Sequence, residues 1–149
     1  MTPTLIRVMA DDFDVGAELA RLEGLGGGAV ASFVGIVRGG DGLVALELEH
    51  HPGMTEASMQ RVADEAARRW PLIGMTLIHR HGRLEPGERI VLVAAASPHR
   101  AAALEATGFL IDWLKTSAPF WKKEHFAAGG ARWVEARIAD DEAAARWNT

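Results

Sequence analysis

The stretch from Ala29 to His50 constrains the fold most. Ala29–Val37 (AVASFVGIV) is a mostly apolar run, Gly39-Gly40-Asp41-Gly42 is a turn signal, and Leu43–His50 then alternates. Val44, Leu46 and Leu48 fall on one face, with Ala45, Glu47 and Glu49 on the other. That period of two belongs to a half-buried strand, and two such runs about a glycine turn read as a β-hairpin. The rest of the chain has to supply partners for this sheet.

More short segments follow the same grammar. Thr4–Val8 reads as a strand, and Asp14 can cap a helix over Val15–Leu22 that Gly24 ends. Gly26-Gly27-Gly28 is a hinge or loop. Thr55 can cap a helix to about Trp70, whose Met59, Val62, Ala66 and Trp70 keep helical spacing and which Pro71 stops. Met75–His79 and Ile90–Ala96 read as strands around a Glu85-Pro86-Gly87 turn, and a helix follows from about Pro98 to Leu114 with Leu104, Ile111 and Leu114 on one stripe. Ser117–Glu124 reads as an irregular basic-aromatic segment, Ala127–Gly130 as a flexible loop and Trp133–Ile138 as a last strand. Asp140–Trp147 reads as a short, weakly anchored helix, so residues 140–149 are expected to be a loosely held tail. Strands outnumber helices and short turns join them. The expected class is α+β, a largely antiparallel sheet with packed helices, in a single domain over residues 1–149.

Composition narrows the chemistry. A chain of 149 residues with 48% hydrophobic and 24% charged residues can hold a core without covalent staples. Its net charge of −4 gives no general attraction to nucleic acid, so any anion site must be a local basic cluster. With no cysteine there is no disulfide, no Cys-based zinc site and no thiol nucleophile. The first residues lack a basic-then-apolar leader and no apolar run approaches a membrane span, so a cytoplasmic protein without membrane contact is expected. Dinucleotide, phosphate-loop and H-E-x-x-H signatures are missing from the sequence. His50 and His51 are adjacent on a strand and point to opposite faces, and His79-Arg80-His81 lacks further ligand types at metal spacing. Neither a metal nor a cofactor is expected.

Three constellations can carry chemistry. In Ser97-Pro98-His99-Arg100, Ser97 suits an N-cap and Pro98 the first helical position, which puts two potential cations in a first turn that normally takes acids. A bound anion would complete such a site; a solvated arginine and a structural histidine are an equal alternative. In Lys115–Glu124 (KTSAPFWKKE), Lys115 closes the helix, and Pro119, Phe120 and Trp121 separate it from Lys122 and Lys123. A lysine held against such walls loses hydration and can serve as acid–base or amine nucleophile, and Glu124 could orient one of them. Alone, Lys115 would be an ordinary helix-end cation. Arg38, at a strand end before glycines, is a possible phosphate fork or an ordinary turn arginine.

Read in order, these segments resemble a known family. The strings are Gly28–Arg38 (GAVASFVGIVR), Leu46–Met54 (LELEHHPGM), Ile78–Gly82 (IHRHG), Ser97–Arg100 (SPHR), Leu114–Glu124 (LKTSAPFWKKE) and Arg132–Arg137 (RWVEAR). Together they resemble the catalytic, large subunits of molybdopterin synthase. The resemblance implies a hammerhead-like α+β fold and a sulfurtransferase of molybdenum-cofactor biosynthesis. It implies a homodimer core of a heterotetramer, with a small ubiquitin-like sulfur carrier at each end whose Gly-Gly tail ends in a thiocarboxylate. The substrate would be cyclic pyranopterin monophosphate, which receives two sulfurs to form the molybdopterin dithiolene. The family pattern assigns substrate contacts to Ile36, Val37, Arg38, His99, Arg100, Lys115, Lys122, Lys123 and Glu124. Lys115 leads the catalysis with Lys122 in support, and Arg137 reaches in from the neighbouring large subunit. Two other readings of the residues are a non-catalytic module that binds a ubiquitin-like Gly-Gly tail and a phosphate-ester enzyme of unrelated chemistry.

Overall fold

The computed structural model describes residues 2–134 and 138–148. In chain order it contains β1 (Thr4–Met9), α1 (Val15–Glu23), β2 (Ala29–Ile36), β3 (Leu43–His50), α2 (Met54–Arg69) and β4 (Gly74–Arg80). Then come β5 (Gly82–Leu84), β6 (Arg89–Ser97), α3 (Arg100–Ser117), β7 (Phe120–Phe126), β8 (Ala131–Trp133) and α4 (Ile138–Ala145). The strands form two four-stranded sheets, ordered β1-β4-β6-β2 and β5-β3-β7-β8. Only the β1–β4 pair is parallel among the described pairs, so the α+β class with mainly antiparallel sheet stands.

The expected β2–β3 hairpin does not form. β2 pairs with β6 in one sheet and β3 with β5 and β7 in the other. Gly40, Asp41 and Gly42 all take positive φ, at 113°, 53° and 77°. Three left-handed residues in a row carry the chain out of the first sheet instead of folding it back, and Asp41 is the only described non-glycine residue to adopt that conformation. The inward face of β3 also shifts. A register irregularity between Leu43 and Ala45 buries Ala45 fully and leaves Val44 exposed.

Helix ends differ from the sequence reading for local reasons. Asp14 caps α1 as expected, its Oδ1 accepting from the Ala17 amide at 3.0 Å. At α2 the cap is Gly53, at φ 86°, and the Glu56 carboxylate accepts from its amide at 3.3 Å. Thr55 lies inside the helix, where its hydroxyl donates to the His51 carbonyl at 3.0 Å. Ser97 ends β6 rather than capping α3. Its hydroxyl donates to the Pro71 carbonyl at 3.1 Å, and His99 takes the N-cap position without a side-chain cap bond. The buried stripe of α3 is Ala103, Ala106, Phe109, Leu110 and Leu114, while Leu104 turns outward at 62% exposure.

The segment expected to be irregular is ordered. α3 runs to Ser117, Ala118 is extended as a residue before proline prefers to be, and Phe120 starts β7 along β3. β8 is only three residues long; residues 135–137 of the expected last strand lie outside the described residues, and Ile138 already belongs to α4. The tail is pinned rather than loose. Arg69 donates to the Trp147 carbonyl at 2.7 Å, and the Trp147 indole N–H donates to Asp112 at 2.7 Å. Its ring meets Trp70 and Phe109 edge-on at 5.6 and 5.7 Å.

The main core lies between the sheets and helices α2 and α3, built from residues such as Leu48, Met59, Leu77, Val93, Phe109 and Leu110, all buried to 1% exposure or less. No helix among the described residues is long and apolar enough to cross a membrane.

Candidate active site

A cavity of about 240 Å³ lies at the C-terminal end of α3, lined by residues of both sheets. β2 contributes Phe33 to Ile36, β4 contributes His79, β6 contributes Ile90 and Val91, α3 contributes Ile111, Leu114 and Lys115, and β7 contributes Phe120 and Lys122. The register of β2 slips between Gly35 and Ile36, which turns Ile36 out at the mouth with 56% exposure. A side chain at Gly35 would meet Val91 Cγ1 at 2.7 Å, so this wall needs a glycine.

The lysines arrive by different routes. Lys115 sits in the last turn of α3, where the helix dipole favours a cation. It is exposed, so the apolar enclosure expected from Pro119–Trp121 is only partly built by this chain. Phe120 alone of those three lines the cavity, and Trp121 points away at 50% exposure. Lys122 follows two residues after Phe120 on the same face of β7 and is half-buried. Both lysines therefore line one cavity whose other side chains, His79 apart, are apolar.

His79 forms part of that cavity, although the sequence reading considered it only as a metal ligand and set it aside. It is 7% exposed, its ring lies flat on Phe120 with centroids 3.6 Å apart, and its Nδ1 is 2.8 Å from the Arg80 carbonyl. A carbonyl only accepts, so Nδ1 carries the proton. Burial first, and then the charges of Lys122 and Lys115, push its pKa down to about 3, against the Arg80 hydrogen bond. The clue in the sequence was an imidazole following the apolar Leu77-Ile78 pair in the strand GMTLIHR, a group that must find a partner when buried. His50 is shifted in the same direction, by burial first and His81 next.

These shifts fix a pH response. An unfolded histidine takes a proton near pH 6.5, while folded His79 does so only near pH 3. The stability that depends on a neutral His79 is whole above pH 6.5 and is lost as the pH falls from there toward 3. Denaturant titrations should show a less stable protein at pH 5 than at pH 7, with a smaller loss in His79→Gln. Equal losses in both proteins would contradict this account.

The other expected site residues are dispersed. Val37 is buried at 3% exposure, its amide donating to Glu88 and its carbonyl accepting from Gly87, so its side chain belongs to the core and not to the cavity. Arg38 is exposed just beyond the cavity mouth. Lys123 points to the opposite face of β7, where its ammonium stands 5.3 Å over the Trp133 ring. Glu124 accepts from Arg132 at 3.1 Å. His99 and Arg100 are exposed at the start of α3. At 1.5 Å per residue, Arg100 is about 22 Å from Lys115 along the helix. Ala29 of β2 pairs with Ser97 and Ile36 with Arg89, so Arg38 and His99 also lie at opposite ends of their sheet. One chain cannot bring Arg38, His99 and Arg100 onto a single phosphate. Arg137 lies outside the described residues.

Comparison with known proteins bears on the whole chain. The family model described as MoaE protein matches residues 8–117. The molybdopterin synthase catalytic subunit of Mesorhizobium japonicum is 56% identical, over 100% of this chain and 96% of that protein. The solved molybdopterin biosynthesis MoaE protein of Burkholderia ambifaria superposes with a TM-score of 0.84 at 48% identity, covering 100% of this chain and 99% of that one. A complex of subunits 1 and 2 of the molybdopterin-converting factor from Helicobacter pylori shares the fold, with a TM-score of 0.75 at 20% identity over 89% of this chain and 90% of that one. A mixed α+β fold, a lysine-lined cavity and identity at this level along the full length converge: the chain belongs to the MoaE family of molybdopterin synthase catalytic subunits, which are sulfur-transferring enzymes.

Proposed function

We propose that the cavity is where sulfur passes from the thiocarboxylate tail of a small carrier protein to cyclic pyranopterin monophosphate, twice per dithiolene. The observation that carries this reading is the convergence of Lys115 and Lys122 on one apolar cavity. A thiocarboxylate and a phosphate are both anions, and a low-dielectric pocket strengthens their attraction to ammonium groups. The narrow apolar walls suit a Gly-Gly tail, which has no side chains to exclude. Lys115 acts at the reacting atoms, Lys122 supports it, and Ile36 and Arg38 meet the substrate at the mouth. The chain has no cysteine, so the sulfur has to come from a partner. In this reading the reaction takes place in the cytoplasm. The test is reconstitution: the chain with pterin substrate and free sulfide should form no product, and the thiocarboxylated carrier should start turnover. Efficient product formation from sulfide alone would reject the reading.

A second copy of the chain completes the site. Arg38, His99 and Arg100 are the residues expected to hold the phosphate, with Arg137 reaching in from the neighbouring subunit, yet His99 and Arg100 stand about 22 Å from Lys115 in their own chain. In a two-fold dimer the start of α3 in one copy can face the cavity of the other. Val37, Lys123 and Glu124 then contribute by holding the walls. Light scattering should give twice the chain mass, with an interface on the order of 1,200–2,000 Å². Mixing inactive Lys115→Ala with inactive Arg100→Ala should restore roughly a quarter of full activity, because half the sites in a mixed two-fold dimer carry both lesions and half carry neither. A monomer, or no recovery after subunit exchange, would overturn the shared site.

A further inference from the structure

The cavity holds a group for which sulfur transfer has so far supplied no role. Among its described lining residues, His79 has the only side chain that can accept a hydrogen bond. The others are apolar or lysines, and a lysine only donates. His79 spends its Nδ1 proton on the Arg80 carbonyl, which leaves a lone pair on Nε2. Its ring cannot rotate freely, because Phe120 lies flat against it. Arg80 is fixed in turn, donating to the Ala10 carbonyl at 2.9 and 3.1 Å and to the Arg89 carbonyl at 3.1 Å. The imidazole is thus a rigid, single-tautomer acceptor in the cavity that Lys115 and Lys122 also line.

We propose that His79 is a positioning residue for the transfer step: its Nε2 accepts a hydrogen bond from the Lys122 ammonium and aims that charge into the cavity. One lone pair can hold one lysine. Lys122 is the better placed of the two, since it follows Phe120 on the face of β7 that stacks on the imidazole, and its charge acts on His79 more strongly than that of Lys115. Burial keeps the ring uncharged at working pH, so it accepts from a cation without repelling it. Lys115, more exposed, stays free to meet the reacting atoms. This division rests on the reading of the lysine cavity as the transfer site.

Three substitutions separate the functions of the ring. His79→Gln places an amide oxygen near the former Nε2, His79→Asn keeps only a donor near the former Nδ1, and His79→Phe keeps the stack with neither. A hydrogen bond to a charged group is worth about 10–100-fold. Turnover with thiocarboxylated carrier should fall by that factor in His79→Asn and His79→Phe, with KM little changed, and His79→Gln should recover most of it. Equal loss in all three, or normal turnover in all three, overturns the proposal. Nitrogen NMR of the full chain reads the contact without catalysis. The Nε2 resonance should move toward the value of an unbonded imidazole in Lys122→Met and stay in place in Lys115→Met. No movement in Lys122→Met overturns the proposal even in a fully active enzyme. Movement there, together with lysine variants that retain full turnover, keeps the contact and rejects the transfer site instead.

Discussion

Lys115→Ala is expected to lose about 10²–10³ in kcat, the usual consequence of removing one preorganised charge-stabilising group. In the transfer proposed above, the thiocarboxylate sulfur brings negative charge to an electrophilic pterin carbon, and the acyl group must later leave the sulfur. A lysine at the cavity can, as an ammonium, stabilise that charge or pass a proton; as a neutral amine it can take the acyl group as an amide while the acyl–sulfur bond breaks, and water then hydrolyses the amide. Lys115 is suited to this because the last turn of α3 fixes its backbone beside Leu114 and Ile111, while its side chain reaches solvent and incoming groups. It makes no contribution to the core, so circular dichroism and carrier binding should be unchanged. Lys115→Arg separates charge from proton transfer: it keeps the first and cannot readily perform the second. Near-normal turnover in Lys115→Ala, alongside a collapse in Lys122→Ala, would move the catalytic role to Lys122.

Phe109→Ala should destabilise the fold by about 3–5 kcal/mol, the range for deleting a buried aromatic ring. Phe109 is fully buried and serves three elements at once. Its ring meets Trp70 at 5.4 Å, Trp113 at 5.9 Å and Trp147 at 5.7 Å, and the Arg69 guanidinium stands 4.8 Å over its face. Removing it leaves a cavity and also releases the tail that carries Trp147. For a chain of this size the melting temperature should drop by on the order of 10 °C. Leu104→Ala, on the exposed side of the same helix, is the control and should change stability by less than about 0.5 kcal/mol. Comparable losses at the two positions would show that the Trp70–Phe109–Trp147 cluster does not anchor the tail.

Strand positions were legible wherever a local pattern sufficed. Period-two alternation identified β3, and apolar runs identified β2, β4 and β6, because a strand shows its own spacing whatever it pairs with. Pairing was not legible. The Gly39–Gly42 turn has hairpin composition, yet it delivers the chain to a different sheet, and only the partners β6 and β7 decide that. β7 itself was hidden because KKEH is a poor strand by propensity; its pairing with β3 overrides that preference.

The chemistry divides in the same way. The sequence by itself determined the residue types: two lysines around a rigid A-P-F-W segment, basic residues at the start of α3, no thiol, and family strings specific enough to name the reaction. Motifs are local strings, and local strings can be read without coordinates. Only the tertiary structure decided which of those residues share a space. It brought Lys115, Lys122 and His79 to one cavity. It sent Lys123 and Glu124 to other partners and put His99 and Arg100 at the far end of an 18-residue helix. The physical reason is that strand alternation and helix rise convert small differences in sequence position into opposite faces and distances of about 20 Å, which no composition or motif records.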